Sequence, residues 1–262
     1  MSHSLIFTLW SLFNRASLAW RRWIFRPRSG LCLPDEPWET LFPEGTELSR
    51  EAERLRSLYH LDWSDAHANQ RENLHVLSLL EAALGPVAEH FPPTLDVLDI
   101  GAKDWHYLPG LVRFLRHARA PEPRATRVTG LEADPYHRYR DGFTRYDYAQ
   151  RYAQGLQARY QVGDSRKHGG SHDLVLLLYP FWREREVLDW GLPGAYFDAS
   201  GMVRHARSRL KEGGLLLVTA YASEREWATE TLGLLGWEAR VTGEWRSPFV
   251  GAGSSVFWVF QG

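Results

Sequence analysis

The stretch from Leu95 to Gly110, LDVLDIGAKDWHYLPG, constrains the fold more than any other part of the chain. Leu95, Val97, Leu98 and Ile100 make a short, nearly continuous apolar run, the pattern of a strand covered on both faces. Asp99 comes one residue before its end and Gly101 turns the chain. A helix can then start near Pro109, with Leu111, Val112 and Leu115 on its buried side. In an open α/β sheet such a strand-turn-helix corner lies at the carboxyl ends of the strands, where a ligand meets backbone amides and a helix N-terminus.

Beyond this corner the chain alternates as a parallel sheet requires. Arg127 to Glu132, RVTGLE, reads as a second strand, Ala158 to Asp164 as a third and His172 to Tyr179, HDLVLLLY, as a deeply apolar fourth. A polar helix over about Thr144 to Leu156 separates the second and third strands. A helix from Gly201 to Leu210 and a turn from Lys211 to Gly214 lead into a fifth strand, Leu215 to Ala220. Ser223 and Glu226 form a capping-box pattern that opens another helix, closed by Gly236. Glu238 to Thr242 and Val256 to Phe260 then pair antiparallel. The fold class is a doubly wound, mostly parallel seven-stranded α/β sheet over residues 69–262, preceded by a helical extension over 1–68. In that extension Leu31 to Gly45 is a Pro- and Gly-rich linker and Glu47 to Tyr59 carries apolar residues at helical spacing, as does Asn69 to Leu84 at the start of the following domain. Trp63, Asn69, Arg71 and Asn73 read as caps and packing in preference to groups reaching over the ligand crevice.

With 262 residues, 44% of them hydrophobic and 24% charged, the chain suits one elaborated domain with a sizeable core. The sole cysteine, Cys32, excludes an intramolecular disulfide and fits the cytoplasm, and a zinc site would need histidines and carboxylates. His168 and His172 straddle Gly169-Gly170, which disfavours helical metal-ligand geometry, and no metal site is expected. A net charge of -1 gives no global drive toward nucleic acid. Charge is uneven, however: residues 1–30 hold Arg15, Arg21, Arg22, Arg26 and Arg28 and no acid, about +5 against about -6 for the remainder. Asn14 and Arg15 interrupt the apolar run of this segment well short of the roughly 20 residues of a membrane span. The basic residues follow the apolar ones, against the order of a signal peptide. Two readings stay open for residues 1–28: an amphipathic helix lying on an anionic membrane, which would place the protein at its inner face, or a helix packed on this domain or a second subunit.

The series VLDIG, GLEAD, YQVGD, HDLVLLL and LKEGGLLLV, closed by a strand pair, resembles the class I S-adenosylmethionine-dependent methyltransferases over about residues 70–262. The resemblance implies S-adenosylmethionine as cofactor. Asp99 and Gly101 would approach its methionine part, Glu132 would hold the ribose hydroxyls, with Asp134 as the competing choice, and Asp164 would lie near the adenine. The chemistry agrees, since a carboxylate can accept from two adjacent hydroxyls and from an amino group. Each acid has a structural alternative as a helix cap or turn former.

Lys103 and Trp105 stand where that family usually has two further glycines. Two outcomes follow: a rearranged loop, with Lys103 toward solvent and Trp105 packed beneath the helix, or a site lost to obstruction. The implied reaction is direct displacement at the sulfonium methyl, which needs a base only if the acceptor must lose a proton and therefore leaves no fixed catalytic signature. Tyr179-Pro180-Phe181-Trp182 follows the fourth strand and only partly matches the Pro-Pro-aromatic stretch of amino-methylating nucleic-acid enzymes. The acceptor is accordingly expected to be a small molecule, lipid or sugar, with Tyr179, His106 and Arg183 as candidates for handling it. A nicotinamide-dependent oxidoreductase is disfavoured because no G-x-G-x-x-G follows Asp99. A non-catalytic relative of the fold, acting as a membrane-associated interaction protein, is the rival reading.

Overall fold

The computed structural model describes residues 3–61, 69–251 and 253–262; Trp63 lies outside them. Seven strands form one sheet: β1 Thr94–Ile100, β2 Ala125–Glu132, β3 Ala158–Val162, β4 His172–Leu177, β5 Leu210–Tyr221, β6 Val241–Arg246 and β7 Ser254–Gln261. Their order is β3-β2-β1-β4-β5-β7-β6, with β7 antiparallel to both neighbours and the first five strands parallel. The doubly wound, seven-stranded expectation is met. The strand order reverses between β1 and β4, and the carboxyl ends of these two strands open the crevice in which such sheets bind ligands.

Both faces of the sheet are covered, which is why β1 and β4 read as continuous apolar runs. Leu95 and Val97 of β1 and Leu174 and Leu176 of β4 face α3 (Glu47–Leu58), α4 (Gln70–Leu84) and α5 (Leu108–His117). Leu98 and Ile100, with Val175 and Leu177, face α8 (Ala199–Ser208) and α9 (Arg225–Gly233). Each fully buried aliphatic side chain in these layers contributes roughly 1.5–3 kcal/mol. Pro109 sits in the first turn of α5, as expected. Asn73 joins α4 to this corner: its Oδ1 accepts from Gly110 N at 2.8 Å and its Nδ2 donates to the His106 carbonyl at 2.9 Å. It therefore packs, as the reading of Asn73 anticipated.

The chain before α3 contributes α1 (His3–Ile24) and the single turn α2 (Trp38–Leu41), the latter within the expected linker. α6 (Arg145–Ala153) is fixed by a reciprocal cap, with Thr144 N donating to Asp147 Oδ2 at 2.8 Å and Asp147 N to Thr144 Oγ1 at 3.3 Å. α7 is Glu184–Asp189.

Most boundaries shift by one to three residues, and at three the cause is visible. β5 begins at Leu210, because Lys211 Nζ is drawn to Asp96 and Asp173 at 3.1 and 2.9 Å and a register shift in β4 absorbs the turn. The capping box at Ser223 and Glu226 does not form; Ala222–Glu224 is a 3-10 turn in which Glu224 accepts from Tyr221 N, and α9 starts at Arg225. β6 runs from Val241 instead of Glu238, an edge strand that alternates half-buried Val241, Gly243 and Trp245 with exposed Thr242, Glu244 and Arg246.

Gly130, in the middle of β2, is a contact point. A Cβ there would stand 2.6 Å from the Trp105 indole. Gly130→Ala should therefore lose about 1–3 kcal/mol of stability through overpacking. In denaturant unfolding, Gly130→Ala combined with Trp105→Leu should lose less than the sum of the two single changes.

Candidate functional site

At the carboxyl ends of β1 and β4 lies a cavity of about 620 Å³, lined by Gly101, Lys103, Glu132, Asp164, Tyr179 and His106 among others. That size falls within the roughly 300–1,000 Å³ of small-molecule sites. Three of the four expected cofactor residues, Gly101, Glu132 and Asp164, meet there. Asp99 does not line it. Asp99 is fully buried behind the loop that follows β1, and its Oδ2 accepts from Tyr107 Oη at 2.7 Å and Trp105 Nε1 at 2.9 Å.

That loop resolves the two outcomes left by Lys103 and Trp105. Gly101, Lys103 and Trp105 all have positive φ, +84°, +54° and +58°. The left-handed turns that glycine adopts freely are thus present at all three positions, two of them in side-chain-bearing residues. Trp105 packs away from the cavity, fully buried on Gly130 with Tyr160 at 5.8 Å. Lys103 is half-buried. It lines the cavity, its ammonium 5.8 Å from the Trp190 ring, while its backbone N–H donates to Glu132 Oε2 at 2.9 Å. Around Gly101 a Cβ would meet nothing within 4 Å, so the backbone there is open to a ligand.

Glu132 Oε1 accepts from Asp134 N at 2.7 Å, so each of its oxygens holds one backbone amide and keeps a lone pair. Burial pushes Glu132 above the usual carboxylate range, against the charge of Arg145 and those two amides. Asp134, the competing ribose acid, is fully buried and turned to Arg21 of α1, with contacts of 3.2 and 3.0 Å, and to Arg145 at 3.6 Å. It holds the wall of the site together. Asp164 lines the cavity and is paired with Arg166 at 2.6 Å, which holds its carboxyl below the usual range.

The other end of the cavity holds groups that could meet an acceptor. Tyr179, at φ +54°, stacks on Tyr221 at 4.4 Å and places its hydroxyl 2.9 Å from Ser255 Oγ. Burial pushes this phenol up to about 12, so it stays protonated at neutral pH. His106 Nδ1 lies 2.7 Å from Asp104 Oδ1, and Asp104 Oδ2 accepts from Tyr139 Oη at 2.6 Å. Burial opposes the charge on Asp104, but His106 and Lys103 hold it well below the usual range. The fixed imidazole leaves Nε2 for a ligand. His75 of α4 also lines the cavity and is pushed down to about 4, by burial first and then by His106. Arg183 is not among the cavity residues; it pairs with Glu186 and lies 4.2 Å from the Trp227 ring. His75, Asp104 and Trp190 were not singled out from the sequence. Only Asp104 carried a local signal, its two-residue spacing from His106.

His168 and His172 place their Nε2 atoms 3.3 Å apart at the start of β4, away from the cavity. Among the described residues no group of three or more His, Cys, Asp or Glu side chains could hold a metal ion.

Comparison of the structure with solved structures places the fold with class I S-adenosylmethionine-dependent methyltransferases. A Listeria monocytogenes protein assigned to that class matches at 10% identity and a TM-score of 0.51, over 80% of this chain and 68% of that one. TrmN from Thermus thermophilus matches at 17% identity and a TM-score of 0.49 over 72% of this chain, which spans only 48% of TrmN. Magnesium protoporphyrin IX methyltransferase ChlM from Synechocystis PCC 6803, solved with bound S-adenosylmethionine, matches at 18% identity and a TM-score of 0.46, over 86% and 88% of the two chains. No family model matches the sequence, and a search of curated proteins returns no match.

Lys103→Gly relieves a left-handed side chain and should shift unfolding by less than about 1 kcal/mol, in the stabilising direction. Trp105→Gly relieves the same strain but empties a buried site, and should cost about 3–5 kcal/mol. Asp99 is pushed up to about 6 from an ordinary 3.8 by burial, against its bonds from Tyr107 and Trp105. The folded state keeps this proton where the unfolded chain has released it, so Asp99's contribution to stability falls as pH rises through that window. The stability of Asp99→Asn relative to the natural chain should therefore rise by about 2 kcal/mol between pH ~4.5 and ~7.5, measured by denaturant unfolding.

Proposed function

We propose that the protein transfers a methyl group from S-adenosylmethionine to an acceptor bound beside Tyr179 and His106. The observation that carries this is the meeting of an open left-handed turn at Gly101 with the Glu132 and Asp164 carboxylates in one cavity, at the switch point of a methyltransferase-type sheet. The residues present fit the cofactor. Gly101 presents unobstructed backbone and Glu132 keeps acceptor capacity on both oxygens for a pair of ribose hydroxyls, while Asp164 stands in the lining near the adenine end with its oxygens held by Arg166. Trp190, held beside Lys103 and Arg145, forms an apolar wall that helps to keep water out.

When bound, the cofactor supplies an electrophilic methyl group. The chain's part is to position the acceptor and, for a hydroxyl acceptor, to take its proton. His106 is the group we assign to that proton, because Asp104 orients the ring and balances a positive charge on it. Tyr179, protonated at neutral pH, orients the acceptor through its hydroxyl. A small-molecule-sized cavity walled by Tyr179, Phe181, Trp190 and Tyr221 suits a small molecule, lipid or sugar as acceptor. A chain whose single cysteine is a free, exposed thiol suits the cytoplasm, where we place the reaction. The rival reading, a non-catalytic relative, rests on Lys103 with Trp105 and on the basic N-terminus; Trp105 packs outside the cavity and Lys103 lines it beside Gly101 and Glu132, which supports the enzyme reading on the first count.

Titration with S-adenosylhomocysteine should give a saturable heat, weakened at least tenfold by Glu132→Ala in protein shown to be folded by circular dichroism. No saturable binding to the natural chain would leave a shared fold without the activity. Incorporation of tritium from methyl-labelled S-adenosylmethionine into a cell extract should fall at least tenfold in His106→Asn, with S-adenosylhomocysteine affinity kept within about threefold.

A further inference from the structure

An ordinary surface helix turns its apolar stripe inward, whereas α1 keeps a long apolar stripe outside. Its inward face mixes half-buried Phe7 and Trp10 with polar side chains that tie it to the domain. Asn14 Nδ2 donates to the carbonyls of Leu188 and Leu192 at 2.9 and 3.0 Å, Ser11 Oγ accepts from Gly194 N at 2.9 Å, and Arg21 pairs with Asp134 at 3.0 Å. Leu18 is the one fully apolar side chain of the helix in the small core it shares with Val187 and Leu192. The outward face carries Leu5, Leu9, Leu12, Phe13, Trp20 and Trp23, with Phe13 70% and Trp23 71% exposed. At about 100° per residue these positions fall within an arc of roughly 100–120°, opposite Asn14 and Leu18. Trp20 and Trp23 sit together, ring centroids 5.2 Å apart.

The helix is tied down by one face and leaves a continuous apolar stripe on the other, an arrangement that calls for a partner. Charge identifies the partner. Arg15 stands on the flank of the stripe beside Leu12, Arg22 lies farther round and donates to the Ala133 carbonyl at 3.1 Å, Arg26 and Arg28 follow the helix, and no acid occurs before Asp35. A second copy of the helix would bring two such arginine-rich surfaces together with no carboxylate of their own to offset them. Anionic lipid headgroups supply the missing charge, and a Trp- and Leu-faced helix buries its apolar side at the headgroup–acyl boundary. Among the described residues no helix is long and apolar enough to cross a membrane, which matches an orientation in the plane of the surface.

We infer that α1 docks flat on an anionic bilayer, with the stripe from Leu5 to Trp23 in the interface and the cavity-bearing domain held against it through Asn14, Ser11 and Arg21. This surface is independent of the methyl-transfer reading, and a protein that bound no S-adenosylhomocysteine would still be expected to show it.

The full chain should co-sediment with phosphatidylcholine vesicles containing about one-third phosphatidylglycerol, at least tenfold more strongly than with phosphatidylcholine alone, and lose most of that preference at high salt. Phe13→Glu with Trp20→Glu should lower vesicle binding at least tenfold with an unchanged Tm, since both side chains point away from the fold. Arg15→Glu should reduce the preference for anionic vesicles. Absence of binding to anionic vesicles by the natural chain overturns the inference, as does binding that survives Phe13→Glu with Trp20→Glu. A dimer in sedimentation velocity that those substitutions dissociate, with no vesicle binding, assigns the stripe to a second copy and equally overturns it.

Discussion

The hydrogen bond from the Trp105 indole to the buried Asp99 carboxylate is the interaction on which the corner after β1 depends. Left-handed backbone costs a side-chain-bearing residue roughly 1–2 kcal/mol, and this loop adopts it at both Lys103 and Trp105. Glycines would remove that cost. Here it is offset by packing: the indole is fully buried on Gly130, its N–H meets a carboxylate, and Tyr107 donates to the same oxygen. Tyr160 adds a hydrogen bond to the Lys103 carbonyl from β3. The loop thus reaches a glycine-like path by filling the space behind it, and the space in front, at Gly101, stays open.

The charge balance of the wall follows from the same corner. Lys103 N and Asp134 N both point at Glu132, which aims its carboxylate along the floor of the cavity. Glu132 and Asp134 are two buried acids two residues apart, and after burial itself the Asp134 charge adds to the push that raises Glu132. Arg145, within 3.9 Å of Glu132 and 3.6 Å of Asp134, and Arg21, at 3.0 Å from Asp134, supply the compensating charge. Arg145 also lies 4.4 Å from the Trp190 ring, so the same guanidinium supports both the acidic floor and its aromatic cover.

Much of this was legible in the chain because the information is local. The apolar run at Leu95 to Ile100, the turn at Gly101 and the strands that lead to Glu132 and Asp164 are signalled by adjacent residues, and the strand alternation fixed the sheet. The fate of Lys103 and Trp105 was not legible, because residue type does not report φ when packing overrides preference. The one available signal was Gly130, since a glycine inside a buried strand marks close approach by another group. Asp134 defeated local reasoning for a different reason: its partner, Arg21, lies 113 positions earlier. The start of β6 was misplaced because its alternation is set by pairing with β7 and not by its own hydrophobicity.

Arg21 makes α1 part of the site's electrostatics as well as part of the surface. Removing one partner from a buried ion pair typically costs about 3–5 kcal/mol, because the remaining charge is left without compensation. Asp134 is fully buried and Arg21 largely so, with Arg145 as the second cation near the acid. The helix therefore cannot leave the domain without exposing or stranding Asp134 beside Glu132. Its outward stripe and its inward arginine are carried by one rigid element of 22 residues. Whatever surface holds the stripe consequently holds the wall of the cavity, and the distance between the two faces is no more than the width of a helix, about 10 Å.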